Sequence, residues 1–392
     1  MSEYKDLLER IGDRAPMPEP AFDRMVHRQE RRRRNRRISA GVVGVLVTAV
    51  LVLALASSRR VAAPQPLKPT PAGSNGRIAY SLAGKGIYLV TEGQQPRLVI
   101  GTPDDDAVER CPAFSPDGTH LAFTRQGATG TIRTFVADVG EAGIIGDSER
   151  FVVTSKGEYW ACPEWAPDSN GLLYTNNQGL WIVGTETHES PIRIAPFPDL
   201  VDAGWSPDGS IVAAVSRDGD VFVVSVRDGT LITRAKGPTS ASLSWSPNGD
   251  RIAVGQGNTG DLSPVLLINV QNGESQELTA SGRSFVGYGN PIWSSDGTSI
   301  ALRDQHEADN GIVIVRLDDD SWYRIPIPTL DPPDVWALRW SPDGQQLLAA
   351  SGCSVYSIPA DGSGQPLLVS SADVDAQRCQ LPPGIDWQGV PR

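Results

Sequence analysis

From about residue 76 onward the apolar residues come in short runs such as GRIAYSL, GIYLVTE, QPRLVI and DVFVVSV, each closed by Gly, Pro, Asp or Asn. Runs of this length, rich in β-branched and aromatic residues and bounded by turn formers, predict strands. Two other patterns precede them. Residues 2–12 and 19–37 read as two short helices split by Pro16, Pro18 and Pro20. Leu7, Leu8 and Ile11 form one small apolar face, and Phe22, Met25 and Val26 form another. Ile38 to Ser58 then reads ISAGVVGVLVTAVLVLALASS, 21 residues without a charge. At about 1.5 Å per residue this helix spans roughly 30 Å, the hydrocarbon thickness of a bilayer.

Charge orients that span. Arg31, Arg32, Arg33, Arg34, Arg36 and Arg37 stand before it, and only Arg59 and Arg60 follow. The positive-inside bias therefore keeps the amino terminus cytoplasmic and exports the rest across a bacterial cell membrane. A cleaved signal peptide is the competing reading, since Ala54-Leu55-Ala56 resembles a cleavage site, but the 37-residue lead is atypical of one. A buried core helix fits the flanking arginines less well. Pro64, Pro66, Pro69 and Pro71 make residues 59–75 a semi-rigid linker.

The strand-forming part repeats. CPAFSPDGTHLAF, CPEWAPDSNGLLY, AGWSPDGSIVAAV, LSWSPNGDRIAV, PIWSSDGTSIAL and LRWSPDGQQLLAA align on Phe114, Trp165, Trp205, Trp245, Trp293 and Trp340. In each copy a strand ends at the aromatic, and Ser-Pro-Asp-Gly then makes a tight turn. Pro presets φ, Asp bonds its own downstream backbone, and Gly takes the left-handed position. A second strand follows, with two more before the next copy. The unit is a four-stranded antiparallel blade.

The ends set the count. Residues 76–101 supply three strands without a motif strand, and GIDWQGV around Trp387 supplies a motif strand without the rest. Together they complete a blade and close a ring. The expectation is an all-β fold, a seven-bladed β-propeller over 76–392, with six blades as the alternative. Closure removes exposed sheet edges.

These motifs resemble TolB-like propeller repeats, relatives of the WD type. Ala166-Pro167-Asp168-Ser169 lacks the Gly, and Ser294-Ser295-Asp296-Gly297 lacks the Pro. The resemblance implies extracytoplasmic binding or scaffolding, and in some relatives a propeller that gates a separate hydrolase domain. No room for such a domain is expected after the closing strand.

Composition narrows the chemistry. Residues 1–60 carry a net charge of +6 and the remainder −17, and the acidic body argues against nucleic-acid partners. The four cysteines lie on the exported side, where disulfides persist. Strand parity places all four near one face, and Cys111–Cys162 with Cys353–Cys379 is the expected pairing among three. Zinc is the rival, but there is no Cys-x-x-Cys, and His27, His120, His188 and His306 are scattered. No cofactor is expected. Asp117, Asp208 and Asp343 look like repeated carboxylates, yet turn formation accounts for them. Asp104–Asp106 and Asp318–Asp320 read as solvated loop charge rather than a cation site. No Gly-x-Ser-x-Gly elbow or phosphate loop appears.

One aromatic set stands out. Tyr159, Trp160, Tyr288 and Trp336 lie four to six residues before their motif aromatics, in loops entering the inner strands. They are candidate ligand-binding residues at the channel mouth, with packing between blades as the alternative. The leading expectation is an anchored, non-enzymatic sensor or scaffold that binds a protein, peptide or envelope component outside the cytoplasm. A second is the receptor half of an anti-sigma-like transmembrane regulator whose lead, residues 1–37, holds a transcription factor. That family's usual His…Cys-x-x-Cys pattern is absent here. A lyase or hydrolase acting in the channel ranks last.

Overall fold

The computed structural model describes residues 74–390, apart from 83–85, 92–93, 102–106, 128–129, 156–161, 177, 186–189, 240, 257–262, 287, 305–310, 328–334, 352–353 and 372–384. The predicted lead, span and most of the linker lie outside the described residues. Among the described residues no helix is long and apolar enough to cross a membrane.

The described residues fold into seven antiparallel sheets of four or five strands, with one further two-stranded hairpin, Thr279–Ala280 with Arg283–Ser284. The first blade holds Ser74–Leu82, Gly86–Val90 and Arg97–Ile100, and its innermost strand is Ile385–Val390 from the other end of the sequence. Ile78 pairs with Trp387 and Tyr80 with Ile385. Pairing also reaches Ser74 and Asn75, so the first strand begins two residues earlier than the sequence suggests. The inner strands of the second to seventh blades are Val108–Phe114, Glu164–Trp165, Leu200–Trp205, Ser242–Trp245, Gly289–Trp293 and Val335–Trp340. Each ends on the motif aromatic, and Ile385–Val390 carries Trp387 in the matching place.

Seven hydrophobic clusters lie between neighbouring blades, one at each junction. The last joins Tyr80 and Leu82 of the first blade to Leu348, Ala350 and Val355 of the seventh. Seven junctions for seven blades mean the ring is closed and exclude the six-bladed alternative. Strands second from the centre are covered on both faces, which is why Ile211–Ser216 and Arg251–Gly255 read as unbroken apolar runs. Each fully buried Val or Ile there contributes about 1.5–3 kcal/mol.

The turn chemistry is uniform. Ser206 Oγ donates to Asp208 Oδ1 (2.7 Å) and accepts the Ile211 N–H (3.1 Å), while Asp208 Oδ1 accepts the Ser210 N–H (3.0 Å). Gly209 sits at φ +70°, and a Cβ there would lie 3.5 Å from Pro167 of the preceding blade's turn. The same Ser–Asp bond recurs at Ser115–Asp117, Ser294–Asp296 and Ser341–Asp343. Ser169 takes the glycine's left-handed position at φ 61°, and its hydroxyl accepts the Asp117 N–H (3.1 Å). That departure from the motif becomes a tie between blades.

The aromatic makes a second tie. Trp165, Trp205, Trp245 and Trp340 each donate Nε1–H to the carbonyl of the residue before the previous blade's aromatic, at 2.9, 3.3, 2.9 and 3.1 Å. This accounts for indole rather than phenyl at the position. Trp293 and Trp387 are exceptions, and their buried Nε1 atoms have no partner among the described residues.

Candidate functional site: the central channel

Alternation along the inner strands sorts their residues. Two places before the aromatic, Pro112, Pro163, Ala203, Pro291, Leu338 and Ile385 are buried between blades. One place before it, the side chains face the channel, and there the sequence is not uniform. Ala113, Gly204, Ser244 and Ile292 alternate with Glu164, Arg339 and Asp386. Three places before it stands Asp202, about 7 Å deeper at the usual strand rise.

A cavity of about 720 Å³ occupies the channel. Glu164, Asp202 and Arg339 line it, with Trp205, Trp245, Trp293 and Trp340 in its wall and Pro116, Pro167 and Pro207 of the motif turns at one end. Its lining runs from these turns along the inner strands to Asp202, Ser242 and Asn290.

The carboxylates are not equivalent. Asp202 accepts the N–H of Ala203 (2.9 Å) and of Leu243 on the next blade (2.8 Å). Asp386 accepts the Phe114 N–H across the first junction (2.7 Å). Glu164 has no side-chain hydrogen bond or ion pair among the described residues. Removal from bulk water pushes Glu164 up to about 7, with Asp202 and Asp386 adding to the rise and Arg339 opposing it. The same cause raises Asp202 to about 6 against its backbone hydrogen bonds and Arg339. Asp386 is raised too, again mainly by burial. Glu164 is exposed to water inside the channel. That water screens the charge and reduces what the shift contributes to stability.

Arg339 shares the tier of Glu164 but stands on the seventh blade, across the ring from the third. Its Nη1 donates to the Leu338 carbonyl (3.0 Å). No ion pair within 4.0 Å closes on it among the described residues.

A disulfide fixes this region. Cys111 and Cys162 are bonded, with Cα atoms 5.3 Å apart, joining equivalent places on the second and third blades as strand parity predicts. Cys162 lies two residues before Glu164, whose inner strand is only two residues long. Cys353 and Cys379 lie outside the described residues.

The aromatic candidates are placed as follows. Tyr159 and Trp160 lie outside the described residues, and Trp336 is described only as backbone of the strand Val335–Trp340. Tyr288 is 2% exposed in the cluster between the fifth and sixth blades, with its ring edge-on to Phe285 and its hydroxyl accepting from Arg283 (2.6 Å). The repeated aspartates are engaged in turns, as the motif implies. Of the acidic runs, Asp104–Asp106 lie outside the described residues. Asp318 and Asp319 lie near Arg316 (3.6 Å each), and Asp319 also holds the Ser321 N–H (3.1 Å). Sequence reasoning passed over Glu164, Asp202, Arg339 and Asp386. The available signal was a charge at alternate places before the aromatic, on strands whose partners there carry small or apolar residues.

Comparison with known proteins gives one family match and a similar solved structure. Residues 325–358 match the family described as WD domain, G-beta repeat. The match runs from the end of the outer strand of the sixth blade through the third strand of the seventh. No curated protein matches the chain. Among solved structures, TolB from Acinetobacter baumannii is similar with a TM-score of 0.48 and 17% identity, over 79% of this chain and 66% of that one. The chain thus spans just under two thirds of the TolB chain. It is a seven-bladed β-propeller that carries a WD-type repeat and is similar to TolB.

Proposed function

We propose that this chain is a membrane-anchored binding propeller held outside the cytoplasm, which takes a protein or peptide partner at the channel mouth ringed by the motif turns. The observation that carries the reading is the cavity of about 720 Å³, where aromatic and proline walls surround charged side chains, of which Glu164 has no hydrogen bond or ion pair among the described residues. Pockets of this size, apolar with a few convergent polar groups, are where ligands bind. Anchoring rests on the uncharged run 38–58 and the arginines before it.

The test uses the full chain in its own membrane. A photo-reactive residue at Pro207, beside the mouth, is expected to cross-link a discrete partner. The same group at Asp228, on an exposed outer turn, is expected to give none. Equal yields from both, or none from Pro207, reject the mouth as the binding site.

One observation favours a second reading, a lyase or hydrolase using the channel. A carboxyl raised to about 7 is matched to general acid–base work at neutral pH. Turnover lost in Glu164→Gln, found by screening the full chain against hydrolase and lyase substrates, would establish it. The regulator reading depends on residues 1–37 and is tested by whether removing residues 2–37 abolishes capture of a cytoplasmic partner.

A further inference from the structure

We infer that the channel receives a single organic cation, the ammonium or guanidinium of a Lys or Arg side chain presented by a protein partner, with Glu164 as its counter-ion. The inference rests on the reading of the mouth as a binding site and names the chemistry of that site.

Glu164 is the starting point. Glu164 is exposed to the water of the channel, whereas Asp202 and Asp386 are half-buried. Asp202 accepts two backbone N–H groups, and Asp386 accepts those of Phe114 and Trp387. Glu164 lies inside the same cavity with none of its acceptor sites used by the described residues. Its one candidate partner on the tier, Arg339, stands across the ring and bonds its own neighbour's carbonyl. The fold leaves this acid open.

Charge and shape then select the ligand. Two carboxylates and one guanidinium line the cavity, Asp386 lies close enough to act on Glu164, and the body carries a net charge of −17, so an anion is repelled both at a distance and at contact. A divalent metal ion needs several oxygens converging on one point. Both oxygens of Asp202 already hold backbone N–H groups, and no three ligating side chains gather among the described residues. A Lys or Arg side chain fits better. Its aliphatic stem would lie along Trp205, Trp245 and the turn prolines while its charged tip reaches Glu164 one layer below. Arg339 opposes the incoming charge and so sets a limit on how tightly it is held.

The experiment uses the full chain in nanodiscs of neutral lipid. Three probes are titrated: acetyl-Ala-Lys-Ala-amide, the same peptide with norleucine for lysine, and butylammonium. Saturation-transfer NMR and the fluorescence of the channel tryptophans report binding. The lysine peptide is expected to bind at least about tenfold more tightly than the norleucine peptide. Glu164→Gln is expected to bring that ratio close to one, Glu164→Asp to keep part of it, and Arg339→Met to increase it. Retained far-UV circular dichroism and a cooperative melt show that each variant is folded. Equal binding of the lysine and norleucine peptides, or an unchanged ratio in Glu164→Gln, overturns the cation assignment. Butylammonium binding as tightly as the lysine peptide overturns the protein side chain as its source. Neither result touches the cross-link from Pro207, which judges the mouth separately.

Discussion

Two sets of carboxylates in this propeller share their chemistry and differ in every physical respect. Asp117, Asp208, Asp296 and Asp343 lie in the motif turns, a short way downstream of each aromatic. Each accepts from the serine two residues earlier, and Asp208 is held below the ordinary carboxylate range chiefly by that hydroxyl. Glu164, Asp202 and Asp386 lie a short way upstream, on the channel wall, and all three are pushed upward by loss of bulk water. The first set recurs because every blade needs the same turn. The second does not recur, and within it Asp202 and Asp386 hold backbone N–H groups of neighbouring blades while Glu164 holds none among the described residues. In a repeat protein, the acid found in one copy only is the better guide to what the molecule binds.

Four measurements would break or sharpen that contrast. The largest effect is expected from replacing both Cys111 and Cys162 by serine. Releasing a closure of 51 residues costs up to about 4 kcal/mol by chain entropy. It should also loosen the two-residue strand carrying Glu164, so binding at the channel should fall while the turns survive. Urea melts with and without reductant check the first part, and peptide titration the second. Next comes Asp208→Ala, expected to cost about 1–2 kcal/mol because the Ser206 hydroxyl and the Ser210 N–H lose their acceptor. Glu164→Gln, by contrast, should leave the urea midpoint unchanged or raise it. A larger loss for Glu164→Gln than for Asp208→Ala would reverse the assignment of roles.

The indole ties give a smaller effect with an internal control. Trp245→Phe removes a 2.9 Å bond to the Gly204 carbonyl and should cost about 1 kcal/mol. Trp293→Phe removes an N–H with no partner and should change stability by less than about 0.5 kcal/mol. Equal costs would mean the bond is not what the indole contributes.

The smallest effect is in pH. A carboxyl whose folded pKa exceeds its unfolded value binds more protons in the folded state, so stability rises as pH falls through the folded value. Lowering pH from 8 through 7 and 6 should therefore raise the melting temperature. Glu164→Gln should flatten the upper part of that rise, with Arg339, Asp202 and Asp386 as the charges acting on the group. Asp117, Asp208 and Asp296, whose carboxyls are lowered, work in the other direction: their contribution is complete above the ordinary carboxylate range and disappears only in more acid solution. A melting temperature that falls steadily from pH 8 to 6 would contradict the channel shifts.

Much of this architecture is readable without coordinates because the turn is a local device. Ser, Pro, Asp and Gly act within five residues, so six imperfect copies suffice to locate six inner strands, and an unpaired motif strand near Trp387 reveals the closure. Alternation also explains what was missed. Aligning on the aromatic makes the residue before it look like variable filler, although the same alternation places it inside the ring. Tyr288 shows the opposite error available to composition. An aromatic close to the motif has the size of a contact residue, but Phe285, Trp322 and Arg283 enclose it between two blades. Only packing distinguishes those fates, and packing is not local in sequence.

The pairing of Ser74–Leu82 with Ile385–Val390 has a consequence for how the molecule is made. While the nascent chain is being made, its opening sheet waits with a bare hydrogen-bonding edge until six residues some three hundred positions later arrive to cover it. A message cut short before Ile385 leaves that edge permanently uncovered and ready to pair with a neighbour. Completion of translation is thereby written into whether the ring shuts.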